Sequence, residues 1–288
     1  MNFNNINYGN QTKFCENNIF YKIDTNGCHE AIAEELASFV LLCSTLDKKE
    51  YVSYWHFVSN NKHLCGSKNF LSQNEEIVTI DWLYKNNTKS NILLKTRNMR
   101  IPEAAEYVIK FVKDNTNLDI RNYLAKCLTL DKIVLNTDRH YKNLAVKINK
   151  DTGTYCIAPI FDNGNGLFST KSFHPYDDKT IETEKKYLGF KPFDERNFDI
   201  DAMCDYFGVG FKVDFNLLNE ILDIKYKNLA ESDYGFKELT VLKHQIELFK
   251  ISELNVEFNL DNKIRALKEL KDEYNIDGTA LINNEEER

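Results

Sequence analysis

Residues 136–143 read NTDRHYKN, and nineteen residues after Asn143 the run FDNG begins its polar part at Asp162. Between them stand two short apolar segments, LAVKI at 144–148 and YCIAPI at 155–160. They are separated by NKDTGT, whose Asp-Thr-Gly is a hairpin-turn signal. Ahead of the loop, Leu128, Ile133 and Val134 make the apolar face of a helix that ends near Asn136. A helix, a polar loop, a hairpin and an Asp-Asn-Gly turn in this order leave the chain little freedom. Closing the hairpin brings its two ends together, and with them Asp138, Asn143 and Asp162.

Two carboxylates and an amide at one point suit phosphoryl transfer. One carboxylate orients or deprotonates an acceptor hydroxyl, and the remaining oxygens hold Mg²⁺ against phosphates. The five-residue step from Asp138 to Asn143 matches the catalytic loop of kinases, with Asp as base and Asn as metal ligand. Asp162 then stands where a second metal-binding Asp opens the following segment. Taken singly, each of these residues is also an ordinary turn former. The joint order favours chemistry.

The first part of the chain reads as a small sheet with one prominent helix. Phe14 and IFYKI at 19–23 flank the polar CENN, and residues 29–45 carry Ile32, Leu36, Phe39 and Val40 on one helical face. Further strands are expected at 51–58 and 76–81. Lys22 lies inside the apolar strand IFYKI, a costly position unless its ammonium finds anionic partners. Nucleotide phosphates and a helix glutamate would supply them. Glu30, Glu34 and Glu35 are the candidates; Glu30 and Glu34 share a face, while Glu35 points about 100° from Glu34. Tyr8-Gly9-Asn10-Gln11-Thr12-Lys13 occupies the place of a phosphate-covering loop, with Gly9 and Gln11 offering backbone amides; a plain hairpin turn explains the same residues.

The remainder is rich in helical patterns, at 103–114, 120–136, 215–228, 235–252 and 263–273, followed by the charged INNEEER. The net charge of −7 argues against nucleic acid as the main partner, because neutralising phosphates needs clustered Lys and Arg. Seven cysteines without a CxxC pair read as reduced thiols of a cytoplasmic protein. There is no signal-peptide pattern, and the longest apolar run, 39–43, is too short for a bilayer.

NTDRHYKN followed by APIFDNGNGL resembles the HipA-like branch of the protein-kinase-like fold, whose pattern is NTD-x-H-x-x-N, a hairpin and an Ala-Pro-x-x-Asp segment. The match is specific over 128–167 and weaker over the first 80 residues; it is similar to the stand-alone form without the extra N-terminal HipA subdomain. The resemblance implies an α+β, bilobal fold: a nucleotide-binding N-lobe at 1–80, a helical catalytic C-lobe with a catalytic β-hairpin at 81–275, and a charged tail at 276–288. It implies Mg-ATP as cosubstrate, Asp138 as base, Asn143 and Asp162 as metal ligands, and Glu34 as the partner of Lys22. His140 is expected to pack beneath the loop, while Arg139 and Lys142 either meet phosphate or are surface charges. The implied activity is that of a serine/threonine protein kinase, with a protein substrate and a possible antitoxin-like partner. A lipid or small-molecule kinase is the alternative, disfavoured because Lys171 and Lys179 are balanced by Asp177 and Asp178; a non-catalytic nucleotide-binding module is another. Ser169, Thr170 and Ser172 follow Asp162 as possible modification sites, none preferred.

Overall fold

A computed structural model describes residues 11–175, 177–193 and 200–276. Gly9 and the tail from 277 onward lie outside these residues. The chain opens with a hairpin of β1 (Lys13–Glu16) and β2 (Ile19–Ile23), turned by Asn17 and Asn18, both at positive φ. Asparagine tolerates that region, and two successive positive φ values match the right-handed twist of the flanking strands. A second Asn pair, Asn60–Asn61, does the same between β3 (Trp55–Ser59) and β4 (Lys62–Lys68). The four strands form an antiparallel sheet in the order β1-β2-β4-β3.

Strand β4 has no place in the sequence reading, because KHLCGSK lacks alternation: Leu64 to Ser67 are all buried. Gly66 is required there, since a Cβ would lie 2.7 Å from the Trp55 ring. The strand expected at 51–58 begins only at Trp55. Its first residues instead tie inward, with Val52 N–H donating to Ile160 O at 2.9 Å and Tyr54 N–H to Ser38 Oγ at 2.9 Å.

Helix α1 (Glu30–Leu42) packs against β3 and β4 on one side and the helical body on the other. Twelve of its residues are buried, including Glu34 and Glu35. A helix enclosed on all sides carries such charges only if they are paired.

The strand expected at 76–81 is β5 (Glu75–Thr79), and it joins the hairpin at 145–157 and not the first sheet. With β6 (Ala145–Asn149) and β7 (Tyr155–Ile157) it makes a second sheet in the order β5-β6-β7. Thr79 ends the strand by accepting from Trp82 N–H as the N-cap of α2 (Ile80–Thr88), which sequence periodicity did not reveal. Helices α3 (Ile92–Thr96), α4 (Ile101–Thr116) and α5 (Arg121–Val134) follow. After β7 come α6 (Asp178–Lys185), α7 (Ile200–Phe207), α8 (Phe215–Lys225), α9 (Phe236–Phe249) and α10 (Leu260–Tyr274). The seven cysteines are free, and no described helix is long and apolar enough to cross a membrane.

One large apolar core joins α1, α5, α8, α9 and α10. Phe39 in α1 is fully buried, its ring centroid 4.7 Å from that of Tyr274 in α10. Phe39→Ala removes that contact from both sides of the core and is expected to cost about 3–5 kcal/mol, measured by urea unfolding.

Candidate active site

The loop at 136–143 is built on the end of α5. Leu135 closes the helix in the left-handed region, and Asn136, buried, returns its N–H to Asp131 O at 3.0 Å and its Nδ2 to Asp131 Oδ1 at 2.8 Å. Asn136 Oδ1 in turn accepts the Asp138 N–H at 3.1 Å. The loop is thereby pinned up to Asp138.

Arg139 is the centre of the arrangement and has no solvent exposure. Its Nε and Nη2 donate to the two Asp131 oxygens at 3.0 and 2.8 Å, Nη1 donates to Phe161 O at 2.6 Å, and Nη2 to Asn163 Oδ1 at 2.5 Å. Burial opposes its charge, but the Asp131 carboxylate beside it more than compensates and holds the guanidinium pKa above its ordinary value. Burial also pushes Asp131 up, against the pull of Arg139. Arg139 is therefore neither a phosphate contact nor a surface charge. It is the buried brace between α5, the loop and the strand of chain carrying Asp162.

His140 is not packed beneath the loop. Its ring is partly exposed beside Asp138, with Nε2 3.6 Å from Oδ2, while Nδ1 is buried without a partner. The larger and permanently charged Arg139 fills the interior position, because Asp131 is there to receive it.

On the sheet side, Lys22 is buried, with Nζ 2.5 Å from Glu34 Oε1 and 2.6 Å from Asp162 Oδ1. The second Glu34 oxygen accepts the Asn163 N–H at 2.9 Å. Among the three glutamates, Glu34 is the one Lys22 meets. Glu30 caps the β2–α1 turn by accepting from Thr25 N–H at 2.8 Å, and Glu35 accepts from His56 N–H at 3.0 Å. Burial works to lower the Lys22 pKa, but Asp162 and then Glu34 raise it well above normal.

Lys13, directly opposite Lys22 in the β1–β2 register, also reaches Asp162, at 3.5 Å. Two lysines face to face repel unless an anion lies between them. Burial alone would push Asp162 up; Lys22 and Lys13 hold it well below the usual carboxylate range. Asp162 itself sits at φ 61°, a left-handed conformation uncommon for a side-chain-bearing residue and frequent at functional turns. The sequence places Lys13 only in a loop; the signal for its position beside Lys22 is hairpin register, visible once the turn at Asn17–Asn18 is placed.

Asp138 is partly exposed, and its Oδ1 accepts from Lys191 Nζ at 2.8 Å. Nothing in the sequence marks Lys191, 53 residues away. Asn143 is buried, with Nδ2 donating to Asp138 O at 2.9 Å, which leaves Oδ1 as its free donor to a cation. Lys142 is exposed, and Gln11 lies half-buried just before β1. Ser169 is buried with its hydroxyl on Gly164 O, whereas Thr170 and Ser172 are exposed.

No group of three or more His, Cys, Asp or Glu that could hold a metal occurs among the described residues. The oxygen donors Asp162 and Asn143 still fit Mg²⁺, which commonly takes one or two protein oxygens and completes its shell with phosphate and water. Two ammonium groups on Asp162 mark the same place as one where positive charge gathers.

Arg139→Met leaves Asp131 buried without its charge partner. A loss of about 3–5 kcal/mol is expected in chemical denaturation, part of it recovered when Asp131→Asn is added.

No family model matches the chain, and no curated protein matches it. Among solved structures, it is similar to the crystal structure of a Helicobacter pylori proinflammatory kinase, CtkA. The TM-score is 0.57 at 15% identity, over 90% of this chain and 92% of that one. The α+β chain, with its small antiparallel sheet set on a helical body, thus has a bilobal kinase-like fold.

Proposed function

We propose that the chain is a HipA-like serine/threonine protein kinase that transfers the γ-phosphate of ATP to a protein hydroxyl. The observation that carries this reading is the Lys22 ammonium shared between Glu34 and Asp162, with Lys13 across the hairpin from it. Two lysines converging on a single carboxylate form a site suited to polyphosphate.

In this reading Lys22 and Lys13 take the nucleotide phosphates, and Glu34 keeps Lys22 in place. Asp162 and Asn143 Oδ1 would hold Mg²⁺, which neutralises charge on the phosphates when bound. Asp138 accepts the proton of the acceptor hydroxyl as its oxygen forms the bond to the γ-phosphorus. The bond to the β-bridging oxygen breaks, and ADP leaves with that electron pair. Lys191 holds the Asp138 carboxylate in position for this step. The fold shared with a solved kinase structure supports the reading.

Calorimetry with Mg-ATP and transfer of labelled phosphate to the protein or to general acceptors test it. Asp138→Asn is expected to keep nucleotide binding while lowering transfer by about 10²–10⁴-fold. Lys22→Met and Asp162→Asn are expected to weaken Mg-ATP binding itself. Transfer at the wild-type rate by Asp138→Asn would remove the assigned base, and absence of Mg-ATP binding by the wild type would remove the kinase reading.

A further inference from the structure

Two neighbours of the Asp138 carboxylate line one groove. Lys191, on Oδ1, and His140, beside Oδ2, line it together with Lys142, Asp81, Leu93 and Pro192. None of Lys13, Lys22, Glu34 or Asp162 contributes to its wall. The groove is therefore a second space, separate from the lysine pair that would meet the phosphates; Asp138 is not part of its wall and adjoins it through Lys191 and His140.

Its size and charge narrow what it takes. The volume is about 200 Å³. Sites that enclose a whole small ligand run roughly 300–1,000 Å³, so this groove suits one or two side chains of an extended segment. Leu93 and Pro192 supply an apolar wall. Lys142 is exposed and, among the described residues, makes no hydrogen bond or ion pair. Asp81, the one carboxylate in the lining, sits in the first turn of α2, where the helix N-terminus offsets its charge. Besides Asp81, the charged or titratable groups a guest meets in the wall are thus two ammonium groups and an imidazole, in a chain whose net charge is −7.

We propose that this groove seats the acceptor and selects a seryl or threonyl hydroxyl flanked by a carboxylate side chain. This rests on the kinase reading above and names its substrate class. The hydroxyl gives its proton to Asp138 as its oxygen bonds to the γ-phosphorus and ADP departs. The flanking carboxylate lies against Lys142 and the outer face of Lys191. Lys191 then bridges base and substrate, so the pairing that orients Asp138 also registers the acceptor.

Three peptides on one scaffold, with a single Ser flanked by Glu, Gln or Lys, test this with the full chain and Mg-ATP. The Glu peptide is expected to exceed the Gln peptide in kcat/KM by about fivefold, the scale of one partly exposed ion pair. The Lys peptide is expected to fall below both. Lys142→Glu is expected to reverse that order and Lys142→Gln to flatten it, with circular dichroism checking the fold of each. Indifference to the flanking charge, an unchanged order in Lys142→Glu, or transfer to anionic lipid vesicles in place of peptides would overturn the inference while the kinase reading stands. No transfer to any acceptor together with no Mg-ATP binding would overturn both.

Discussion

Arg139 carries a permanent positive charge where water does not reach, and the geometry of the site is arranged around that fact. A buried guanidinium is tolerated only when its donors are met, and here they are met by two other parts of the chain. Asp131 belongs to α5, Phe161 O and Asn163 Oδ1 to the segment after β7, and Arg139 itself to the loop between them. Satisfying one side chain therefore sets the position of Asp138 just before it and of Asp162 between two of its acceptors. The covalent distance from Arg139 to Asp162 is long; the electrostatic one is a single hydrogen-bonded group.

The sheet is tied to this brace through Glu34. One of its oxygens meets Lys22 of β2 and the other the backbone of Asn163, next to Asp162. Glu34 is fully buried within α1, so its placement is set by core packing on either side of that helix. A shift of α1 would break both contacts at once. Glu35, one residue on, links the start of β3 to α8 through His56 N–H, the Tyr226 hydroxyl and Lys225. The two adjacent glutamates thus join one helix to the loop segment and to the helical body by different faces. Close packing completes the fixture at Gly166, where a Cβ would stand 2.8 Å from Val134 O at the end of α5.

Much of this was legible in one dimension. The β1–β2 hairpin, α1, α4, α5 and the β6–β7 hairpin follow from periodicity and turn residues, because each is a local solution to burying one face. Where an element, or the sheet it joins, was not foreseen, the cause lies elsewhere in the molecule. Strand β4 is buried along four successive residues, so it shows no alternation, and its glycine makes sense only beneath Trp55. Strand β5 resembles a member of the first sheet until pairing with β6 places it in the second. Helix α2 begins where a strand residue, Thr79, becomes its cap.

The sequence by itself determined the order of the parts and the residues that carry charge: a lysine in an apolar strand, glutamates on the next helix, and Asp138, Asn143 and Asp162 around a hairpin. Local chemistry suffices for that, since turn formers, alternation and the cost of an unpaired lysine act over a few residues. Tertiary structure decided which charges meet. It set Glu34, the partner the resemblance implied, against Lys22, put Lys13 beside Lys22, drew Lys191 from 53 residues away onto Asp138, and exchanged the expected places of Arg139 and His140. The reason is that a buried ion's partner is selected by desolvation and by distance in space, and a linear chain records neither.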